Sequence, residues 1–421
     1  MEVIEIHRPI TIEMFRPAGY RTAETNWQMA HLLSNVLGRG RLRFCKDMKG
    51  IGGFPEDVAN EIDGYVLGSV KRRYGLPDGS DVQEFYMQQQ KLATQVPEHY
   101  GELVPELAKD VELKDEISML SDRPSDLVRL AFRRPEEIDS TLAYEVQRHI
   151  LLSDLAGQIN ARTKNSRLRT VLSEVHHLLN EMLFEGPEGA GQRIISESYH
   201  DDQTNQVIGF PGRSRKPPTA HLKRVPLVVR KIPEVGLVHT SPRKKDDRDA
   251  IVKSLAKALS NSGVINIDND IQDGFGMIFV SMDDHVTPEQ LADLVVSAIQ
   301  SGSRKIANRE EDDRTDTDRG QSPESSFDAR RKIWFEGIPT PLEFIFYRLE
   351  TFLNSRLEVG IRDPETGFYM GRSHALYKPR RAFPTTQVIF PKEIYPTDFD
   401  TLFVNWSKHT AQELREMYVA W

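Results

Sequence analysis

The chain has 421 residues, 38% of them hydrophobic and 28% charged, with a formal net charge of −8 and a pI near 5.9. That length suits two or three domains. With a mean hydropathy of −0.49, the sequence offers no apolar run of the roughly 18 residues that a membrane-spanning helix needs. The single cysteine, Cys45, excludes an internal disulfide and a cysteine-based zinc cluster. The start, MEVIEIHRPITIEMF, has no basic-then-apolar pattern of a secretory signal, so the expected protein is soluble and cytoplasmic, with no membrane partner.

In chain order, residues 1–20 read as a strand or extended arm. Residues 55–75, 134–162 and 166–184 carry apolar side chains at spacings of three and four and predict helices. Pro135, followed by Glu136 and Glu137, suits a helix start, and Gly186-Pro187 a helix stop. Residues 186–222 are rich in Gly, Pro, Ser and polar groups and read as a long loop. VPLVVRKI (225–232) is then a β-branched run of strand type, and DDRDAIVKSLAKALSNSG (246–263) a helix that opens on acidic residues and closes at Gly263.

Residues 264–282 predict one or two strands about a glycine turn. Thr287 and Gln290 predict a capping box opening the next helix. Residues 301–326 are almost wholly polar, so they read as a mobile insertion. KIWFEG, PLEFIFYRLE and AFPTTQVIFP read as strands, and Thr410 with Glu413 caps a last short helix. The expected fold is therefore α+β: a helical N-terminal half (1–185), a linker (186–224), then a mixed sheet with flanking helices (225–421). No feature assigns the helical half a chemistry; it is the candidate surface for self-association or a protein partner.

Three features of the C-terminal half carry charge where chemistry is done. Arg243-Lys244-Lys245 stands between a strand and a helix, a junction that favours anions, with Lys253 about two turns into that helix. As a bland alternative it is ordinary surface charge in the basic stretch 213–248. Asp273 precedes a glycine turn into an apolar strand, a place that suits a hard cation such as Mg²⁺, or simply a turn; Asp268 and Asp270 are nearby alternatives. Glu343 is a charge within the apolar strand PLEFIF, so it faces solvent, pairs with a base or sits in a site.

Taken in order, these residues resemble the synthetase domain of the RelA/SpoT alarmone synthetases, a nucleotidyltransferase-like fold. The family's phosphate segment, Arg-x-Lys-Ser-x-x-Ser-x-x-x-Lys, is matched by Arg243, Lys245 and Lys253. Its Asp-x-x-Gly-x-Arg strand is matched by Asp273 and Gly276, its Glu-x-Gln by Glu343, and its His-x-x-Tyr-Lys by His374, Tyr377 and Lys378. The resemblance covers roughly 225–385. Ile278 replaces the strand arginine and Ile345 the glutamine. Where the family has Tyr-x-Ser-x-His to orient the acceptor, this chain offers Phe327 and an Arg-Arg-Lys run.

The resemblance implies Mg²⁺-dependent transfer of pyrophosphate from ATP to a nucleotide or RNA hydroxyl. Asp273 and Glu343 would be catalytic and metal-holding. Arg243, Lys245, Lys253, His374, Tyr377 and Lys378 would bind nucleotide. The family's long enzymes also carry a His-Asp hydrolase domain, but the only His-Asp pair is His200-Asp201, in a polar segment, and His176-His177 are helix neighbours that face different sides. Two other readings stand beside this one. A different nucleotidyltransferase would use Asp268 and Asp270, which alternate as on one strand face. A catalytically inactive nucleotide- or RNA-binding module on the same scaffold would use the basic stretch 213–248.

Overall fold

The computed structural model describes residues 9–17, 55–103, 117, 123–131, 138–163, 166–186, 193–201, 207–209, 222–283, 285–314, 328–349, 351–352, 361–362, 369–370, 374–395 and 398–408. The chain is mixed α+β, with helices first and a mixed sheet after them. It divides into two units that interleave in sequence. Unit 1 comprises Met1–Asn165, Asp246–Ile271 and Pro379–Thr410; unit 2 comprises Ser166–Lys245, Gln272–Lys378 and Ala411–Trp421. The expected division at a single linker is therefore replaced by a chain that leaves unit 1 and returns to it twice. Among the described residues, no helix is long and apolar enough to cross a membrane.

Unit 1 is helical: α1 (Glu56–Arg73), α2 (Val82–Leu103), α3 (Pro124–Ala131), α4 (Ser140–Thr163), α6 (Asp247–Ser260) and the single turn α7 (Ile267–Asp270). Helix α5 (Ser166–Met182) belongs to unit 2. Helix α4 starts at Ser140 rather than near Pro135, because Asp139 accepts from the Leu142 amide at 2.7 Å and caps it. Residues 132–137 lie outside the described residues.

The helix α4 is enclosed on every side, yet it carries Glu145, Gln147, Arg148, His149, Ser153 and Asp154, all at most 2% exposed. Buried polar groups are costly unless bonded, and each of these is bonded. Gln147 donates to the Met14 and Arg16 carbonyls, both at 2.7 Å, which ties down the N-terminal arm. His149 donates Nε2–H to Gln90 at 2.7 Å; burial, with the nearby Arg148 charge, pushes its pKa down to about 3, so it is neutral. Asp154 takes Arg73 at 2.5 Å and the Tyr74 hydroxyl at 2.7 Å.

The arm itself makes a bridge from Thr11 to Val264, then a 3-10 turn at Ile12–Phe15. The expected final strand AFPTTQVIFP is helical instead, as part of α9 (His374–Ile389). Its β-branched residues favoured a strand, but packing overrides propensity. Tyr100 shares a 2.5 Å hydrogen bond with Thr385, and Tyr144 donates to the Val388 carbonyl at 2.7 Å. Residues 399–408 form a further helix, while Thr410, Glu413 and Cys45 lie outside the described residues.

The start of α6 is clasped to α2. The His99 ring hydrogen-bonds Glu102 through Nδ1 and Asp249 through Nε2, both at 2.9 Å, and both nitrogens donate only in the charged imidazolium. Burial opposes that charge, and Arg248 repels it. The bonds to Asp249 and Glu102 and the Asp249 charge outweigh both, leaving the pKa above 6.5. A raised histidine pKa stabilises fully below the unfolded value, and the contribution is lost as pH rises through the folded one. The stability gap between wild type and His99→Gln, read from urea midpoints, should therefore be widest below pH 6.5 and narrow above it. A gap that does not change with pH would rule the clasp out.

In unit 2, eight described strands form one sheet: β1 (Arg193–Asp201), β2 (Val207–Gly209), β3 (Leu222–Ile232), β4 (Gly236–Lys244), β5 (Phe275–Ser281), β6 (Ile306–Arg314), β7 (Asp328–Phe335) and β8 (Leu342–Arg348). Their order is β2-β1-β3-β4-β5-β8-β7-β6. Only β5 and β8 run parallel, and α8 (Pro288–Ser301) lies between them in the chain, opened by the predicted Thr287–Gln290 box. A separate pair, β9 (Ile361–Arg362) and β10 (Tyr369–Met370), is antiparallel.

Alternation sorts the sheet into two faces. Phe279, Leu342, Phe344 and Phe346 join residues of α5 and α8 in the main core, whereas Ile278, Val280, Ile345 and Tyr347 cluster with Phe352 on the other face. The stretch 186–224 is thus not simply a linker: it contains β1, β2 and the start of β3. Its polar composition concealed strands whose backbone is satisfied by pairing, β1 with β3 and β2 with β1. Likewise β6 occupies part of the expected mobile insertion. A charged sequence can serve there because β6 is an edge strand whose described side chains, at 306–312, are mostly open to solvent. Residues 315–327, including Phe327, lie outside the described residues.

Candidate functional site at the leading edge of the parallel pair

The first residues of β5 and β8 lie side by side, and the register sets one row across five strands. Arg243 on β4 stands opposite Gly276 on β5, Gly276 opposite Glu343 on β8, Glu343 opposite Lys332 on β7, and Lys332 opposite Glu310 on β6. Charges of alternating sign thus flank one glycine. A Cβ at Gly276 would come 1.7 Å from the Glu343 carbonyl oxygen, so only glycine fits between these strands. With no side chain there, Arg243 reaches across β5 and its guanidinium pairs with Glu343. Glu343, whose side chain is 4% exposed, is therefore neither outward-facing nor unpaired: it is a buried carboxylate held by a base.

The second pair lies at the entrance to β5. Lys245 Nζ donates to Asp273 Oδ2 at 2.8 Å, and the Lys245 amide donates to the Gly274 carbonyl at 3.0 Å, continuing the β4–β5 ladder past the strand ends. Both side chains are mostly buried. The neighbouring Gln272 accepts from Lys332 Nζ at 3.2 Å, and Lys332 also reaches Glu310 at 3.2 Å. Four sequence-predicted residues, Arg243, Lys245, Asp273 and Glu343, thus come together from three separate segments.

Lys253 does not join them within unit 2. It lies on α6 in unit 1, where it and Lys257 act on Asp270, whose pKa burial raises against those charges and the Asn266 amide bond. Lys257 donates to the Asp270 carbonyl at 3.0 Å, and Arg162 donates to the Ile267 and Ile271 carbonyls, so basic residues here cap α7. The expected alternation of Asp268 and Asp270 on a strand is absent, since 267–270 is helical; the side chain of Asp268 lies outside the described residues. His374, Tyr377 and Lys378 occupy the first turns of α9, and their side chains lie outside the described residues. The same holds for the side chains of His200 and Asp201, whose backbone is in β1.

Sequence reading named Lys332 only as part of the Arg330-Arg331-Lys332 run and missed Gln272 and Glu310. The signal for Lys332 was present, since Asp328, Arg330 and Lys332 alternate along DARRKIWF, but their alignment with Glu343 is a matter of register. Among the described residues, no group of three or more His, Cys, Asp or Glu comes together to hold a metal. Asp273 and Glu343 are hard-oxygen donors of the kind Mg²⁺ takes, and each is already engaged by a cation. No family model matches the chain, and no solved structure matches it significantly. The fold and this edge therefore define a mixed α+β protein with a balanced cluster of ion pairs.

Proposed function

We propose that unit 2 binds a nucleoside triphosphate at this edge and transfers its pyrophosphate to a nucleotide or RNA hydroxyl, in the manner of the alarmone synthetases it resembles. The observation that carries the reading is the convergence of two bases and two carboxylates as Arg243·Glu343 and Lys245·Asp273. A polyphosphate supplies the anion that draws Arg243 and Lys245 away from their carboxylates, and in doing so frees both oxygen-donor groups. Asp273 and Glu343 would then hold Mg²⁺, which when bound neutralises charge on the phosphate oxygens.

In the transfer, the acceptor hydroxyl oxygen forms a bond to the β-phosphorus as the bond from that phosphorus to the bridging α–β oxygen breaks, and the nucleoside monophosphate leaves. Where Asp273 alone holds the metal, Glu343 would take the hydroxyl proton. Arg243 and Lys245 fix the phosphates, so the protein's contribution is positioning and charge neutralisation. A second reading, nucleotide or RNA binding without turnover, is favoured by the ion pairs that already neutralise both carboxylates and by Ile278 and Ile345 at the family's Arg and Gln positions.

The test is incubation with γ-labelled ATP, Mg²⁺ and a panel of GDP, GTP, adenine nucleotides and tRNA. Label should appear on an acceptor, and Asp273→Ala and Glu343→Gln should each lower its rate by about 100-fold or more, the scale set by losing a group that stabilises transition-state charge. Undiminished transfer in both variants would sink the assignment, and ATP binding with no transfer to any acceptor would move it to the second reading.

A further inference from the structure

We propose that Lys332 selects the acceptor by its phosphate charge. The inference rests on the reading just given and deepens it. In the row across the sheet, Glu343 has a cation on each flank: Arg243 on the β4 side and Lys332 on the β7 side. The two are held differently. Arg243 is paired with a buried carboxylate, and Lys245 beside it with another, so the β4 side is the arm for the donor's phosphates.

Lys332 is 29% exposed and is bonded, at 3.2 Å in each case, to the neutral Gln272 amide and to Glu310, which is 52% exposed. An ion pair with so exposed a partner is weak, so Lys332 passes readily to a stronger anion. Arg330, two residues along the same face, is committed elsewhere. Its guanidinium donates to Asp328 at 2.8 and 2.6 Å, and the Asp328 side chain is fully buried. The β7 side therefore presents one releasable ammonium next to the proton-accepting carboxylate. A lysine is a point charge on a flexible stem and attracts phosphate without reading the rest of the molecule.

An acceptor held this way is a phosphate-bearing molecule whose affinity follows its phosphate count. In calorimetric titrations of the full chain, loaded with Mg²⁺ and a non-hydrolysable ATP analogue, affinity should rank GDP and ADP together, above GMP and AMP, with guanosine weakest. Lys332→Met should weaken diphosphate binding about tenfold or more and flatten the ranking, while the ATP analogue binds as in wild type; Lys332→Arg should restore most of it. A ranking set by the base, or diphosphate binding unchanged in Lys332→Met, would overturn the inference and leave the donor site standing. Failure of the wild type to bind the ATP analogue would overturn the donor site, and this inference with it.

Discussion

Arg148→Ala should cost unit 1 about 3–5 kcal/mol, the range for removing one member of a buried charged network. Arg148 is 1% exposed and lies near the middle of α4. It donates to the Ile389 carbonyl at 3.0 Å and to the Tyr395 hydroxyl at 3.2 Å, with its guanidinium carbon 5.0 Å from the centre of the Phe390 ring. Tyr395 in turn donates to Glu145, also 1% exposed, at 3.1 Å. Alanine removes the fork that joins α4 to the end of α9 and leaves a cavity among Tyr144, Phe390 and Tyr395. Lysine keeps the charge but not the planar fork that serves two acceptors and stacks on the rings, and should recover only part of the loss. The readout is the urea midpoint followed by helical circular dichroism. A loss under about 1 kcal/mol would mean that Arg148 is a spectator of this core rather than its organiser.

Gly276→Ala should be the most damaging single methyl in unit 2. The added carbon would lie 1.7 Å from the Glu343 carbonyl oxygen and 2.7 Å from its carbon, and both are backbone atoms that cannot rotate away. Relief requires β5 and β8 to part at the point where the two ion pairs form. The expected loss is about 3 kcal/mol or more, the upper end of what overpacking costs, with weaker ATP binding as the Arg243·Glu343 pair is displaced. A variant with wild-type denaturation midpoint and wild-type nucleotide affinity would mean that the strands do not have this register.

Both expectations depend on neighbours far apart in sequence, which explains what could and could not be read from the chain. The helices α1, α5 and α6 and the start of α8 were legible because their signals are local. Acidic residues stand at the first turn of α1, the Asp246 side chain accepts from the Arg248 amide, and Thr287 and Gln290 bond each other's backbone. The strands β3, β5 and β8 were legible as apolar or β-branched runs. By contrast, β1 and β6 read as loop because their sequences are polar, and only pairing with β3 and β7 makes them strands. Helix α9 contains Pro379 and Pro384 and ends on β-branched residues, and only its contacts with Tyr100 and Tyr144 settle its form.

The same division runs through the site. The sequence by itself determined which groups carry charge at strand ends, Arg243, Lys245, Asp273 and Glu343, because ionisable residues next to apolar strands stand out locally. Only the tertiary structure decided that Glu343 pairs with Arg243 across a glycine, that Lys332 stands on its other flank, and that Lys253 belongs to the other unit. The physical reason is that a strand's side chains repeat every two residues, so what meets across a sheet is fixed by register, and register is a property of the paired strands rather than of either alone.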